Sequence, residues 1–265
     1  MEYTKTEMNK LIHVSKSLQR IHGNVAPVAL IPAARVMLPF FDYPPDVVNS
    51  ISIGHITMPF AVDGDLSMHL DAVYNKKRPM FTLLEILTIA HDIVQGVVTL
   101  KNAGLIHFDL KPKNILVTGI HAETNRIQSC ALTDLGSSEN HFTRSPIPAQ
   151  VYGYGAPEVT SPHSEPLTSA VDMYSLGTNL LLIITADIDS NDIDHKQFMN
   201  PFVQKSFMSS TLFTNLQTRF GQDSMKVWIL QIIAKCWRTE AHQRPPPELL
   251  ASKLSEAKNI VLGRR

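Results

Sequence analysis

The chain changes character part-way along when it is read only as apolar and polar positions. Residues 7–21 (EMNKLIHVSKSLQRI) carry apolar side chains at Leu11, Ile12, Val14, Leu18 and Ile21, a spacing that predicts a helix with one buried stripe. Short β-like runs follow at 28–31 (VALI), 35–38 (RVML) and 51–58 (ISIGHITM), with Pro44-Pro45 marking a turn. FAVDGDL, at 60–66, reads as a linker into another short helix. Thr82 and Glu85 have capping-box spacing, and Phe81 with Ile86 can form a hydrophobic staple, so a helix starts there. It runs through IAHDIVQGVVTLKNA and stops at Gly104, a residue free to take a left-handed C-cap. LI at 105–106 and ILV at 115–117 bracket a polar loop, and ALT at 131–133 is expected to pair with ILV as a hairpin, joined by a polar surface loop at GIHAETNRIQS. From about residue 168 the pattern is helical: SAVDMYSLGTNLLLII, then KVWILQIIAKCW, then a helix opening at RPPPELL, where proline suits the first turn. A small β-containing part at 1–63 therefore precedes a larger, mainly helical part at 64–265.

Composition narrows the function classes. The 24 basic and 24 acidic side chains cancel, which gives no electrostatic footprint for nucleic acid or an anionic membrane surface. Cys130 and Cys236 are the only cysteines, so a disulfide framework and a cysteine-based zinc site are excluded, as suits a reducing compartment. The N-terminus, MEYTKTEMNK, is polar and reads as neither secretory signal nor anchor. The most apolar window, LGTNLLLII, is too short to span a bilayer and reads as a buried core helix. A cytoplasmic protein is expected. Trp228 and Trp237 read as core, and the scattered histidines give no paired metal-ligand spacing.

The candidate chemistry lies in HFDLKPKN at 107–114 and in Asp134, 20 positions beyond Asn114. Moving a phosphoryl group requires a base to orient a hydroxyl, oxygen ligands for Mg²⁺, and a cation near the charge that develops. Asp109 can accept the hydroxyl proton, and Lys111 can neutralise the transferring phosphate. Asn114 and Asp134 supply the hard oxygens that Mg²⁺ prefers. Any one of these residues alone is most simply solvated surface; the four in this order are not.

Here the sequence resembles the eukaryotic protein kinases. Their catalytic loop H-R-D-L-K-x-x-N is matched by His107 to Asn114, D-F-G by Asp134-Leu135-Gly136, and A-P-E by Ala156-Pro157-Glu158. The resemblance covers roughly residues 7–262. It implies an α+β bilobal fold, with a small β-containing N-lobe that lacks its first strands and a larger, mainly helical C-lobe. It also implies that Asp172 braces the backbone of the catalytic loop, that His107 packs beneath the site, and that Arg244 pairs with Glu158. MPFAVDGDL resembles the hinge, making Met58 the gatekeeper and Asp65 the acid toward the ribose, with backbone contacts to adenine from Pro59 and Ala61. Pro59 keeps the carbonyl that such a contact needs. Leu116 would lie beneath the purine, and Thr133 beside the nucleotide. ATP and Mg²⁺ are the implied cofactors and a protein the implied partner, with neither nucleic acid nor membrane.

The sequence departs from the family in its first part. No G-x-G-x-x-G occurs, and Lys5, Lys10 and Lys16 do not lie on a β3-like strand. His13 stands near the position of the helix glutamate that pairs with that lysine. Phe108 replaces the arginine that would clamp a phosphate on Thr143 or Ser145, Leu135 replaces the D-F-G phenylalanine, and Val151 stands where Ser/Thr kinases carry threonine. Lys111 points to Ser/Thr specificity and Val151 weakens that reading. Two functions stay open: a protein kinase transferring the ATP γ-phosphate to Ser or Thr hydroxyls, and a pseudokinase, a nucleotide-binding or scaffold module without efficient transfer. A third explanation stays open beneath both: a chain that starts late and lacks an upstream segment, the intact protein then being an ordinary kinase. A small-molecule phosphotransferase is disfavoured by Lys111, A-P-E and Arg244.

Overall fold

The computed structural model describes residues 30–31, 36–37, 61–140, 153–160, 166–188, 199–221 and 223–263. The helix expected at 7–21, the run at 51–58, His13, Met58, Pro59, Thr143, Ser145 and Val151 lie outside the described residues.

Two short strands, β1 (Leu30–Ile31) and β2 (Val36–Met37), pair antiparallel. A turn closed by Gly64 N–H donating to the Ala61 carbonyl then leads into α1 (Leu66–Tyr74). Gly64 takes φ +73°, the left-handed region in which glycine avoids a Cβ clash. α2 (Leu83–Asn102) starts on the predicted capping box: Thr82 Oγ1 accepts from Glu85 N–H, and Glu85 accepts from Thr82 N–H. Phe81 and Ile86 are both buried beside it. The helix ends at Ala103, and Gly104 follows at φ +72°.

β3 (Leu105–Ile106) leads into the polar loop, and β4 (Ile115–Ile120) and β5 (Ile127–Leu132) form the antiparallel hairpin. The hairpin is longer than the apolar runs predict: Gly119, Ile120, Ile127, Gln128 and Ser129, expected in the loop, are strand. Two features extend it. Ile127 pairs with Ile120 and is buried, and the turn is fastened to α2 by Arg126 Nη1 and Ile127 N–H, which both donate to Glu85, at 3.0 and 2.9 Å. A bulge interrupts the ladder beyond Val117 and Cys130, and the buried Asp92 of α2 accepts the Cys130 N–H at 3.0 Å. β2 runs parallel to β5 with Val36 opposite Leu132, so the sheet order is β1-β2-β5-β4 and the pairing crosses the division expected at residue 63. β6 (Glu139–Asn140) pairs with β3.

The remaining described elements are helical: α3 (Pro157–Thr160), α4 (Ala170–Thr185), α5 (Pro201–Lys205), α6 (Thr211–Phe220), α7 (Ser224–Cys236) and α8 (Pro247–Val261). The result is an α+β fold dominated by helices. α2 packs against α8, β5 and α4, and α4 packs in turn against α7. Ile86, Leu87, Ile89, Ile93, Val97 and Leu100 of α2 are fully buried, each contributing about 1.5–3 kcal/mol. α2 is long and apolar enough to cross a membrane by composition, yet 72% of its apolar window is buried, so it serves here as the core helix. Trp237 caps α7 and is buried, its ring edge-on to Phe207 at 5.0 Å, whereas Trp228 is only partly buried. Gly177 in α4 makes room for that indole: a Cβ there would meet Trp237 Nε1 at 2.8 Å.

Candidate active site

α4 is buried over almost its whole length, and it is the element on which the polar loop rests. Asp172, in its first turn and fully buried, accepts the backbone N–H of His107 through one carboxylate oxygen, at 2.8 Å, and of Phe108 through the other, at 3.0 Å. Those bonds hold Phe108 at φ +65°, a conformation that costs a non-glycine residue about 1–3 kcal/mol. The His107 ring is tied down at both nitrogens. Nδ1 lies 3.3 Å from the Asp109 N–H, and Nε2 lies 2.9 Å from the Thr133 carbonyl. A hydrogen on Nε2 satisfies both contacts, so the ring links the loop to the end of β5.

Asp109 follows, partly buried. Its Oδ2 accepts from Lys111 Nζ at 2.6 Å and from Asn114 Nδ2 at 2.9 Å. Asn114 Nδ2 also donates to the Asp109 carbonyl at 2.8 Å, which leaves Oδ1 of Asn114 facing no donor from these groups. A short 3₁₀ turn at Pro112–Asn114 sets this geometry, and Thr133 N–H donates to the Asn114 carbonyl at 3.0 Å. Asn114 and Asp134 therefore sit at the same end of the β4–β5 hairpin. Asp134 adopts φ +58° and ψ +64° and is exposed, while Leu135 beside it is buried.

The linker lies along β4: Val117 N–H donates to the Gly64 carbonyl at 2.9 Å, and Asp65 bridges Leu116. Asp65, expected toward a ribose, has a structural task. Its Oδ1 caps α1, accepting from Met68 N–H at 3.1 Å and from Ser67 Oγ at 2.5 Å. Ala61, Leu116 and the buried Thr133 complete the described part of the expected nucleotide wall. Farther out, Glu158 and Arg244 form a bidentate pair at 2.5 and 2.7 Å. Arg244 also donates to the carbonyls of Ala170, Arg238 and Thr239 and lies 4.9 Å from the Tyr174 ring. Burial pushes the Tyr174 phenol up to about 12, the Arg244 charge opposing it, and its hydroxyl donates to Gln204 Oε1.

Sequence reasoning missed several contributors. Asn179 Nδ2 donates to the Leu110 carbonyl at 3.1 Å and to the Ser175 carbonyl at 2.8 Å, from a fully buried position. Thr178 and Gln204 both donate to the Gly153 carbonyl, at 2.9 and 2.7 Å, and Ser175 Oγ donates to the Tyr154 carbonyl at 2.8 Å. The signal for Asn179 was available: a lone amide inside the apolar run LGTNLLLII must find partners.

Among the described residues no group of three or more His, Cys, Asp or Glu could hold a metal. Asn114 Oδ1 and the exposed carboxylate of Asp134 are oxygens of the kind that Mg²⁺ prefers. A family model, described as the protein kinase domain, matches residues 46–254. The chain belongs to the protein kinase family. This kinase domain is 28% identical over 221 residues to the proto-oncogene serine/threonine-protein kinase mos of Mus musculus, covering 78% of this chain and 59% of that protein. It is 27% identical, with the same coverage, to the serine/threonine-protein kinase-transforming protein mos of Myeloproliferative sarcoma virus (isolate ts159). The mos protein of Rattus norvegicus is 26% identical over 219 residues, again at 78% and 59%. The kinase domain thus spans about three-fifths of the length of these curated relatives.

Proposed function

We propose that this kinase domain transfers the γ-phosphate of ATP to a Ser or Thr hydroxyl of a protein. The observation that carries the reading is the state of Asp109: both donors that hold its carboxylate fall on Oδ2, leaving Oδ1 to take a proton. In the proposed reaction Oδ1 accepts the acceptor hydroxyl's proton as the hydroxyl oxygen bonds to the γ-phosphorus. The bond from phosphorus to the β–γ bridging oxygen breaks, and ADP leaves. Lys111, already 2.6 Å from Asp109, lies where it can meet the charge on the transferring phosphoryl group. Asn114 and Asp134 would hold Mg²⁺, which when bound screens the phosphate charge. Ala61, Leu116 and Thr133 would contact the base, together with Met58 and Pro59, and Asp65 retains Oδ2 for the ribose. The division into a partial N-lobe at 1–63 and a C-lobe at 64–265 belongs to the same reading.

A second reading has one specific support: the 12 glycines of this sequence nowhere form G-x-G-x-x-G, the motif with which the family covers the phosphates. A pseudokinase would bind nucleotide without transferring phosphate. One experiment separates the two. Incubation with radiolabelled ATP, Mg²⁺ and a generic protein acceptor is expected to label the acceptor, and Asp109→Asn is expected to abolish labelling. Labelling that persists in the variant overturns the role of Asp109. No labelling, with an unfolding midpoint raised by Mg²⁺–ATP, means that this stretch of chain binds nucleotide without transferring phosphate, as the second reading expects.

A further inference from the structure

Away from Asp109 a cavity of about 600 Å³ opens between the end of α1, the segment joining it to α2, and the ends of α4 and α6. No residue placed at the active site lines it. Its charged walls are Lys76, Lys77, Arg78 and Arg219, against one acid, Asp187. Lys76 and Lys77 are exposed.

Arg78 is the informative member, because it is buried. Its Nη2 donates to Glu85 at 2.5 Å and to the Asn125 carbonyl at 3.1 Å, while the buried Nη1 has no hydrogen-bond partner. Glu85 also takes Arg126, at 3.0 Å. Two guanidinium groups therefore share one carboxylate, and the cluster keeps a positive charge behind the wall of the cavity. The lysines add to that field, and a concavity concentrates it.

Size and lining decide among anions. The volume lies within the roughly 300–1,000 Å³ of ligand-binding sites, much more than an inorganic anion needs. Tyr74 and Met80 also line it and are exposed at 50% and 42%, apolar surface for side chains flanking a charge. A membrane surface would meet cations on a convex face, and nucleic acid requires a basic stripe longer than these four cations in one cavity. We propose that this cavity docks an acidic segment of a partner protein that carries a phosphorylated Ser or Thr, its phosphate among Lys76, Lys77 and Arg219 and its apolar neighbours on Tyr74 and Met80. Clustered basic side chains are a recurring means of phosphosegment recognition.

The docking is separate from phosphoryl transfer and is tested without nucleotide. A short fluorescein-labelled peptide with one phosphoserine flanked by Asp, Glu and Leu is titrated with the full chain and followed by anisotropy. Binding is expected to weaken as salt rises, and a peptide with Ser, Asn and Gln at the charged positions should bind at least about tenfold more weakly. Lys76→Glu/Lys77→Glu should lower affinity for the phosphopeptide by roughly tenfold or more while keeping the parent's circular dichroism. Should that double variant fail to fold, Lys77→Ala supplies the same comparison with a smaller drop. Equal binding of the neutral peptide, or unchanged affinity in a folded variant, overturns the proposal. Displacement by saturating Mg²⁺–ATP would put the peptide at the quartet of Asp109, Lys111, Asn114 and Asp134 and overturn it too. Tighter binding to phosphatidylserine vesicles than to the phosphopeptide would do the same in favour of a lipid surface.

Discussion

Replacing Asp172 by Asn tests whether the helical scaffold holds the geometry of the candidate site. The carboxylate is fully buried, and its two oxygens accept the N–H groups of His107 and Phe108 at 2.8 and 3.0 Å. In Asp172→Asn one of those oxygens becomes an NH₂ group, a donor facing a donor. A hydrogen bond to a charged group contributes about 1.5–3 kcal/mol, and a buried donor left unsatisfied costs about 1–3 kcal/mol. These describe one broken contact and overlap, so the expected loss is about 2–4 kcal/mol. Phe108 adds a consequence beyond stability. Its left-handed φ of +65° is held by this carboxylate, and release lets it relax toward an ordinary conformation. Asp109 is the next residue, so its contacts with Lys111 and Asn114 shift as well. Urea unfolding should show a lower midpoint with unchanged slope. Acceptor labelling, measured where the variant is still folded, should fall in rate more than in apparent affinity for ATP. A variant within about 0.5 kcal/mol of the parent, with undiminished labelling, would refute the idea that this carboxylate organises the loop.

Two other perturbations bear on structure away from the quartet. Arg244→Ala strands Glu158 and three carbonyls at once and is expected to cost about 3–5 kcal/mol in urea unfolding. Arg244→Lys should recover less than half of that loss, because a point charge cannot serve both carboxylate oxygens, and equal stability of the lysine variant would contradict the bidentate account. Glu85 sets a pH dependence. Burial pushes its carboxyl up, but hydrogen bonds from the Thr82 and Ile127 N–H groups and the Arg78 charge outweigh that and hold it below its ordinary value of 4.5. Its contribution is fully present above pH 4.5 and is lost as pH falls through the lower folded value. Unfolding measured from pH 7 down to pH 3 should therefore lose stability on the acid side, and Glu85→Gln should flatten that limb. An unchanged acid limb would mean that the carboxyl is not held down.

What the sequence made legible was local. Thr82 and Glu85 announced the start of α2 because a capping box is written within four residues, and Gly104 announced its end. The contact from Asp172 to the loop 64 residues away was reached only through family resemblance, since no local rule joins them. The β4–β5 hairpin was expected with too long a loop, because GIHAETNRIQS is polar. The strand there is sustained by Glu85, a partner far away in sequence. The resemblance to a hinge gives Asp65 a ribose and says nothing of its cap on α1, which is local: Ser67 and Met68 stand where a capping residue's donors fall. The polar residues inside the apolar α4 are tethers.

Those tethers share a geometry. Asp172, Ser175 and Asn179 recur at three- and four-residue spacing, so they lie along one side of α4, and Thr178 adjoins them. From that side they reach the N–H groups of His107 and Phe108, the carbonyl of Leu110, and the carbonyls of Gly153 and Tyr154. One rigid, buried helix thereby fixes two loops, the one that carries Asp109 and the one that leads to Glu158. Asn179→Leu separates this positioning from stability. Leucine removes the donor to Leu110 but also a buried Oδ1 that has no hydrogen-bond partner, and the Ser175 carbonyl keeps the helical N–H of residue 179. The opposing terms leave stability within about 1–2 kcal/mol of the parent. Labelling should nevertheless slow, because the backbone next to Asp109 has lost its anchor on one side while Asp172 still grips the other. Equal loss of stability and labelling would mean that Asn179 serves the core alone; slower labelling at near-constant stability would identify it as a positioning residue.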